Sequence, residues 1–465
     1  MYVVWYHGGM SHGGGSSPFG VRHLEALTGW LGSFGVNTGK VLAVVGLFLL
    51  VTLFLTTNLS HNTILSFMIG TSPLWLPYLL FYLWFESWMF YIQTEQKLKL
   101  GRVSLEILLP KEIAKSPLAM ENVLSQLYQK ASPDNHFDTY WGGKHPPYFG
   151  LELISTEGNV RFIVSTPAKK YRAYVEYAFY SQYPGIEIRE LPVDYTAAVP
   201  WDPKQWGYMP IHFGKKKANP LPIMTYVDFG LDKDPKDEFK HDPMSPMLEL
   251  LGSLGPGEHL WFQFLIKIHR EESFMTGSLS GIVPDWKPQI KEEIAKIYKE
   301  ARERGQTDDE EEPNNRSPIL TPLEKNTIEA LDRARTKFPF IVRTTVFYAA
   351  KLSNIDYDRV GQAITTFQAT ENPGRNAIGY KWRADYDWNM WQDPSGKKRL
   401  HLKEEALEMY KLRLYEPMNH RDTTTIMTTE EIATLFHLPG INITTPGLTR
   451  IPSARAEAPS NLPTA

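Results

Sequence analysis

The chain of 465 residues contains no cysteine. That excludes disulfides, thiolate-ligated zinc, iron–sulfur clusters and a thiol nucleophile, and it suits a chain whose bulk lies in a reducing compartment. An excess of one charge is also missing. Lys and Arg number 49 and Asp and Glu 52, a formal net charge of -3, so there is no global footprint of nucleic-acid binding. The common catalytic signatures are missing too: Gly-x-Ser-x-Gly, His-Glu-x-x-His and the Rossmann glycines do not occur. Gly39-Lys40 imitates a phosphate loop, but Phe34 stands where its first glycine belongs and Val41 follows the lysine. The histidines (His136, His145, His212, His241, His259 and His269) are scattered without metal-site spacing. Asp232, Asp234, Asp237 and Glu238 lack the order of a calcium loop and read as a solvated turn. No cofactor and no metal are expected.

What the chain does have is a strongly apolar start. Val41 to Leu55 is uncharged, and a second run begins near Ile64, is interrupted by Gly70 and Pro73, and resumes from Pro77 to Ile92. Together they read as a two-helix transmembrane hairpin over 40–93, since about 20 apolar residues cross a bilayer. The second run is rich in Trp and Tyr, which favour the headgroup level. Glu86, its one acid, reads as an interfacial carboxylate. Lys97, Lys99, Arg102, Lys111 and Lys115 follow, while the connector Asn58–Asn62 has no Lys or Arg. That asymmetry predicts a multi-pass inner-membrane protein with both termini and its bulk in the cytoplasm, and the lipid bilayer as a partner. Residues 1–39, glycine-rich with His7 and His12, read as a flexible tail with an interfacial helix around Leu24–Phe34.

From Val103 the periodicity is that of an α+β protein. Val103, Leu105, Ile107 and Leu109 alternate as a strand, and Ser116-Pro117 starts a helix. The hairpin Phe149–Val164, a helix through Tyr171 and Ala178, and a strand Ile186–Leu191 complete strand-helix-strand-strand-helix-strand over 100–200. This is the ferredoxin-like split βαβ order. A second such unit is expected over 205–390, with Pro222–Phe229 as its first strand and a second Ser-Pro helix start at 245. Its later strands are Glu258–His269, Phe340–Ala349 and Ala377–Trp382, interrupted by a helical insert over 284–336. A helical segment over 391–440 and a Pro-rich tail over 441–465 follow. Thr428 and Glu431 there form a capping box.

Lys215, Lys216 and Lys217 beside Trp206, Tyr208 and Phe213 are the candidate contact for nucleic acid or another anion. Asp385, Asp387 and Glu404 are the acids from which a scattered catalytic site would have to be built, and their spacing gives it no support.

The runs Leu105–Glu121, Trp141-Gly-Gly, Leu151–Gly158 and Val175-Glu to Tyr183-Pro resemble the N-terminal region of membrane-anchored proteins that accompany type IV secretion or conjugation ATPases in candidate-phyla bacteria. Thr429–Pro439, Thr445-Pro446 and Asn461–Pro463 resemble the stretch that precedes the DNA-translocating motor in fused members. The chain carries no Walker lysine, so the resemblance implies a platform for a separately encoded hexameric ATPase, itself non-enzymatic. The motif residues Glu430, Glu431, Leu435, His437, Pro439, Asn461 and Pro463 are then the candidate docking positions, and a homo-oligomer is compatible with that role. The alternative is a tethered small-molecule sensor, the ligand held between ferredoxin-like sheets.

Overall fold

The computed structural model describes residues 61–110, 115–128, 135–232, 241–270, 286–305, 319–384, 393–414, 424–440 and 445–451. Pro73 and Pro77 fall inside one continuous helix, α1 (His61–Leu100), of 40 residues. Proline has no N–H to give the carbonyl four residues back. At Pro73 that carbonyl is Ile69, and the Ser72 hydroxyl donates to it at 2.7 Å instead. Farther along, Phe85, Met89 and Ile92 bury one face against Tyr140, and Trp88 Nε1 donates to the Tyr140 carbonyl at 2.7 Å.

This helix corrects the membrane reading. Among the described residues no helix is long and apolar enough to cross a membrane. Trp and Tyr carry polar atoms that lower the mean hydropathy of the run, and Ser72, Pro73, Pro77 and Glu86 lower it further. Val41–Leu55, read as the first crossing, lies outside the described residues. The transmembrane hairpin, the multi-pass inner-membrane location and the bilayer contact all rested on that pair of segments, and they are withdrawn with it.

The rest of the described chain builds one sheet. Its first unit runs β1 (Arg102–Pro110), α2 (Pro117–Leu127), α3 (His136–Tyr140), β2 (Tyr148–Thr156), β3 (Asn159–Pro167), α4 (Ala168–Gln182) and β4 (Glu187–Glu190). Pairings β4 to β1, β1 to β3 and β3 to β2 are all antiparallel. The second unit runs β5 (Trp206–Lys215), α5 (Ser245–Gly252), β6 (Glu258–Ile268), α6 (Trp286–Gly305), α7 (Pro322–Thr336), β7 (Pro339–Lys351), α8 (Asp358–Thr365) and β8 (Ile378–Arg383). Its order, β8-β5-β7-β6, repeats that of the first. Each unit therefore places its strands in the order expected of a split βαβ fold.

The first strand of the second unit is not Pro222–Phe229, which runs through turns. It is Trp206–Lys215, whose Pro210 argues against a strand by composition. Strand β8 ends opposite Ile211, so β5 is already a sheet edge at Pro210 and tolerates it.

The units join edge to edge where β2 pairs with β6 from Tyr148↔Lys267 to Thr156↔His259. Helices α2, α4, α5 and α8 share one face over a single core that includes Leu105, Leu124, Phe179, Leu251, Phe264 and Val346. The reverse face carries a second cluster around Trp261, Phe347 and Tyr195, covered by Leu407 and Tyr410 of α9 (Lys397–Leu412). The end of the chain then closes both units. Strand β9 (Thr425–Thr428) pairs with β7, α10 (Thr429–Leu435) enters the main core, and β10 (Arg450–Ile451) pairs parallel with β1.

Candidate functional site

The insert between β6 and β7 is an arm of two helices. Trp286, Ile290, Ile294 and Ile297 of α6 meet Leu331 and Ala334 of α7. The start of α7 is set by sequence: the Thr321 side chain accepts from the Glu324 amide, and Glu324 accepts from the Thr321 amide. Arg304 pairs with Glu324 and so ties the end of α6 to the start of α7. The open side of α6 carries Lys287, Lys291, Lys296 and Lys299, all exposed, interleaved with exposed Glu292, Glu300 and Glu303. Lys296 pairs with Glu293 at 2.9 Å, and Lys299 lies 3.8 Å from Glu303.

At the arm's root, charges from five parts of the chain converge. Arg333 of α7 donates from Nε to Glu430 at 2.9 Å and from Nη2 to Asp228 at 3.0 Å. Asp228 also takes Arg375 at 3.1 Å. Lys337, just past α7, lies 2.6 Å from Glu121 of α2 and 3.7 Å from Glu430. The Tyr226 hydroxyl donates to Glu121 at 2.6 Å. Glu430 sits in the first turn of α10, where the helix dipole favours an acid. Burial nevertheless pushes its carboxyl up, outweighing Thr225, Arg333 and Lys337, and neighbouring Glu121 adds to the push. Burial also acts to raise Asp228, but the Thr225 amide, Arg375 and Arg333 together hold it below its ordinary value. The root is thus a mutually neutralising network that joins the arm to α2, to the 225–228 turn and to α10.

The residues singled out in the sequence fall elsewhere than expected. Lys215 is fully enclosed and pairs with Glu431 at 2.8 Å. Lys216 pairs with Glu371 at 3.2 Å, and Lys217 donates to the carbonyls of Pro373 and Arg375 at 2.9 and 2.8 Å. The lysine triplet is therefore not one anionic contact surface. Glu430, Glu431, Leu435, His437 and Pro439 are all buried. They hold α10 inside the fold and present no docking surface. Glu431 caps its own helix and receives the Ile223 amide at 3.0 Å, and His437 bridges Ala433 and Asp242. Asn461, Pro463, Asp385 and Asp387 lie outside the described residues, and Glu404 is on α9. Among the described residues no group of three or more His, Asp or Glu could hold a metal.

The structure also shows residues that sequence reasoning passed over. Glu121 lies within the apolar stripe of α2, beside Met120 and Leu124, which was the one local sign of a buried acid. Arg333 and Lys337 gave no such sign. Comparison with models of known protein families gives no match, and comparison with curated sequences gives none.

Proposed function

We propose that the chain is a non-enzymatic adaptor of a type IV secretion or conjugative DNA-transfer apparatus that docks a separately encoded ATPase through the arm α6–α7. The observation that carries this reading is the root of the arm. A surface insertion of no consequence would not need Arg333 and Lys337 wired to Glu430, Asp228 and Glu121. An arm that must hold its angle under load from a partner would. The resemblance of Leu105–Glu121 and Thr429–Pro439 to proteins that accompany such motors supplies the partner class. Lys287 and Lys291, in the first turns of α6, supply cations for an acidic face, where rim charges govern encounter and salt dependence.

The test is binding of the purified full chain to a purified DNA-translocating ATPase from the same secretion locus, by biolayer interferometry at two salt concentrations. The variant K287E/K291E should weaken binding at least tenfold and flatten its salt dependence. R333A should weaken it as well, and because it takes a partner from buried Glu430 and from Asp228 it should also lower the melting temperature. K287E/K291E, whose melting should be unchanged, is therefore the variant that isolates docking. Binding that ignores both changes, or no binding at all, refutes the reading.

A further inference from the structure

The helix α1 has a second apolar face, opposite the one seated on Tyr140. Ile69, Leu76, Leu80, Trp84, Tyr91 and Leu98 are 66%, 38%, 54%, 55%, 59% and 78% exposed. Their separations of seven, four, four, seven and seven residues keep them on one stripe of a helix. The stripe is about 43 Å long at 1.5 Å per residue. Phe81 flanks it, and Phe137 and Trp141 of α3 extend it sideways: Trp141 meets Trp88 at 6.4 Å between ring centroids, and Phe137 stacks on Trp141 at 5.9 Å.

Size decides what kind of surface this is. These nine side chains are on average more than half open, and at roughly 200 Å² each they expose on the order of 1,000 Å². That exceeds the roughly 300–600 Å² of the largest apolar patch on an ordinary monomer and matches the roughly 800 Å² that each partner gives to a stable complex. Charge decides the occupant. Between His61 and Gln93 the only Asp, Glu, Lys or Arg is Glu86. It lies one turn from buried Tyr82 and Met89, away from the stripe. Glu95, Lys97 and Lys99 come only at the Leu98 end, where Lys99 pairs with Glu95 at 2.7 Å, so a nucleic acid would find no row of cations along the stripe. A second copy of the same stripe meets no like-charge repulsion, and a two-fold axis makes one patch serve both sides.

We propose that the α1 stripe is a homodimer interface in which two α1 helices pack antiparallel. Trp84 lies fifteen residues from Ile69 and fourteen from Leu98, at the stripe's midpoint. An antiparallel pair therefore puts the two Trp84 side chains at the axis and sets each Ile69 against the partner's Leu98. Helices so packed approach to about 8–10 Å, within reach of engineered cross-links.

The absence of cysteine makes the test clean. Analytical ultracentrifugation of the full chain should give a dimer, and L80E/W84E should give a monomer whose circular dichroism and melting are unchanged. On oxidation, Trp84→Cys should cross-link to itself. Ile69→Cys and Leu98→Cys should cross-link only when the two are mixed. A monomer at high micromolar concentration overturns the proposal. So does a dimer that survives L80E/W84E, or one in which Ile69→Cys cross-links to itself, which would mean parallel packing.

Discussion

Arg413 stands 261 residues from Glu152, yet its Nε and Nη2 donate to the two oxygens of that carboxylate at 2.7 and 3.1 Å. The third arm of the guanidinium reaches Asp194 at 2.7 Å. Tyr195 and Gln263 donate to Glu152 as well, at 2.8 and 3.1 Å. Glu152 faces away from the main core in the middle of the joined sheet, so this pair is what pins the end of α9 onto the reverse face. Arg413 adopts φ 51°, a left-handed conformation uncommon for a residue with a side chain. Burial opposes its charge, but Glu152 and Tyr195 raise its pKa well above the ordinary value, so it stays a cation.

Removing one partner of such a pair leaves an uncompensated buried charge. R413M should therefore destabilise the chain by about 3–5 kcal/mol, and E152M by a similar amount. R413M/E152M, which removes both charges and keeps the volume, should cost far less than the two single losses combined, because well-packed apolar replacements of buried pairs are often nearly neutral. Urea unfolding measures all four states. Additive losses would show that the pair does not act as a unit.

The contrast between Glu121 and Glu152 shows how far the sequence could be read. The alternation of β1 and the helical stripes of α2 and α4 come from local physics and gave the strand and helix order of the first unit. In the second the first strand was misplaced, because Pro210 hides Trp206–Lys215. The join of β2 to β6 is an edge-to-edge contact between distant strands, and no local pattern encodes it. Glu152 alternates with Leu151 and Leu153, as a solvent-facing residue would. Only the covering by α9, more than 240 positions away, makes it a buried ion. The motif Thr429–Leu435 was visible as a capped helix, but its capping box cannot tell an exposed helix from one buried on all sides. The arm's root was invisible for the same reason: Arg333 and Lys337 look like ordinary last-turn cations until α10 brings Glu430 to them.

Three histidines should shape stability against pH. Burial acts to lower His437, but Asp242, 2.9 Å away, and the Ala433 carbonyl outweigh it and raise its pKa above 6.5. A raised folded value means stability that is complete below 6.5 and is lost as pH climbs through the folded pKa. His212 is the opposite case: burial, aided by Arg343, holds it well below 6.5. His259 is likewise lowered, by burial first and Lys351 second, against a raising effect of Glu157. For these two the unfolded chain takes up protons first, so stability falls as pH drops below 6.5. The expected profile has its maximum near the ordinary histidine value of 6.5. His437→Gln should flatten the alkaline limb and leave the acid limb between about 5 and 6.5 intact. Denaturant titrations across both the acid and the alkaline limb check it, and an alkaline limb that persists in the variant would refute the assignment.

The chain's closing strap offers a steric test. Gly447 has φ +79°, and a Cβ there would lie 1.7 Å from the Gly158 carbonyl oxygen. That neighbour is backbone and cannot swing aside. Gly447 also uses its own carbonyl to accept from the Val160 amide at 3.0 Å, and just beyond it β10 runs beside β1. Gly447→Ala should therefore do more than strain one residue: it should lift the 445–451 segment off the sheet. Gly396 is the natural control, since its φ is +67° but a Cβ there meets nothing within 4 Å. Gly396→Ala should cost only the left-handed penalty, about 1–2 kcal/mol. Hydrogen exchange separates the two. In Gly447→Ala the Val160 amide should lose protection while the α10 amides, held by the Glu431–Lys215 pair, keep theirs. In Gly396→Ala both should stay protected. If Val160 stays protected in Gly447→Ala, the strap does not depend on that close approach and the steric argument is wrong.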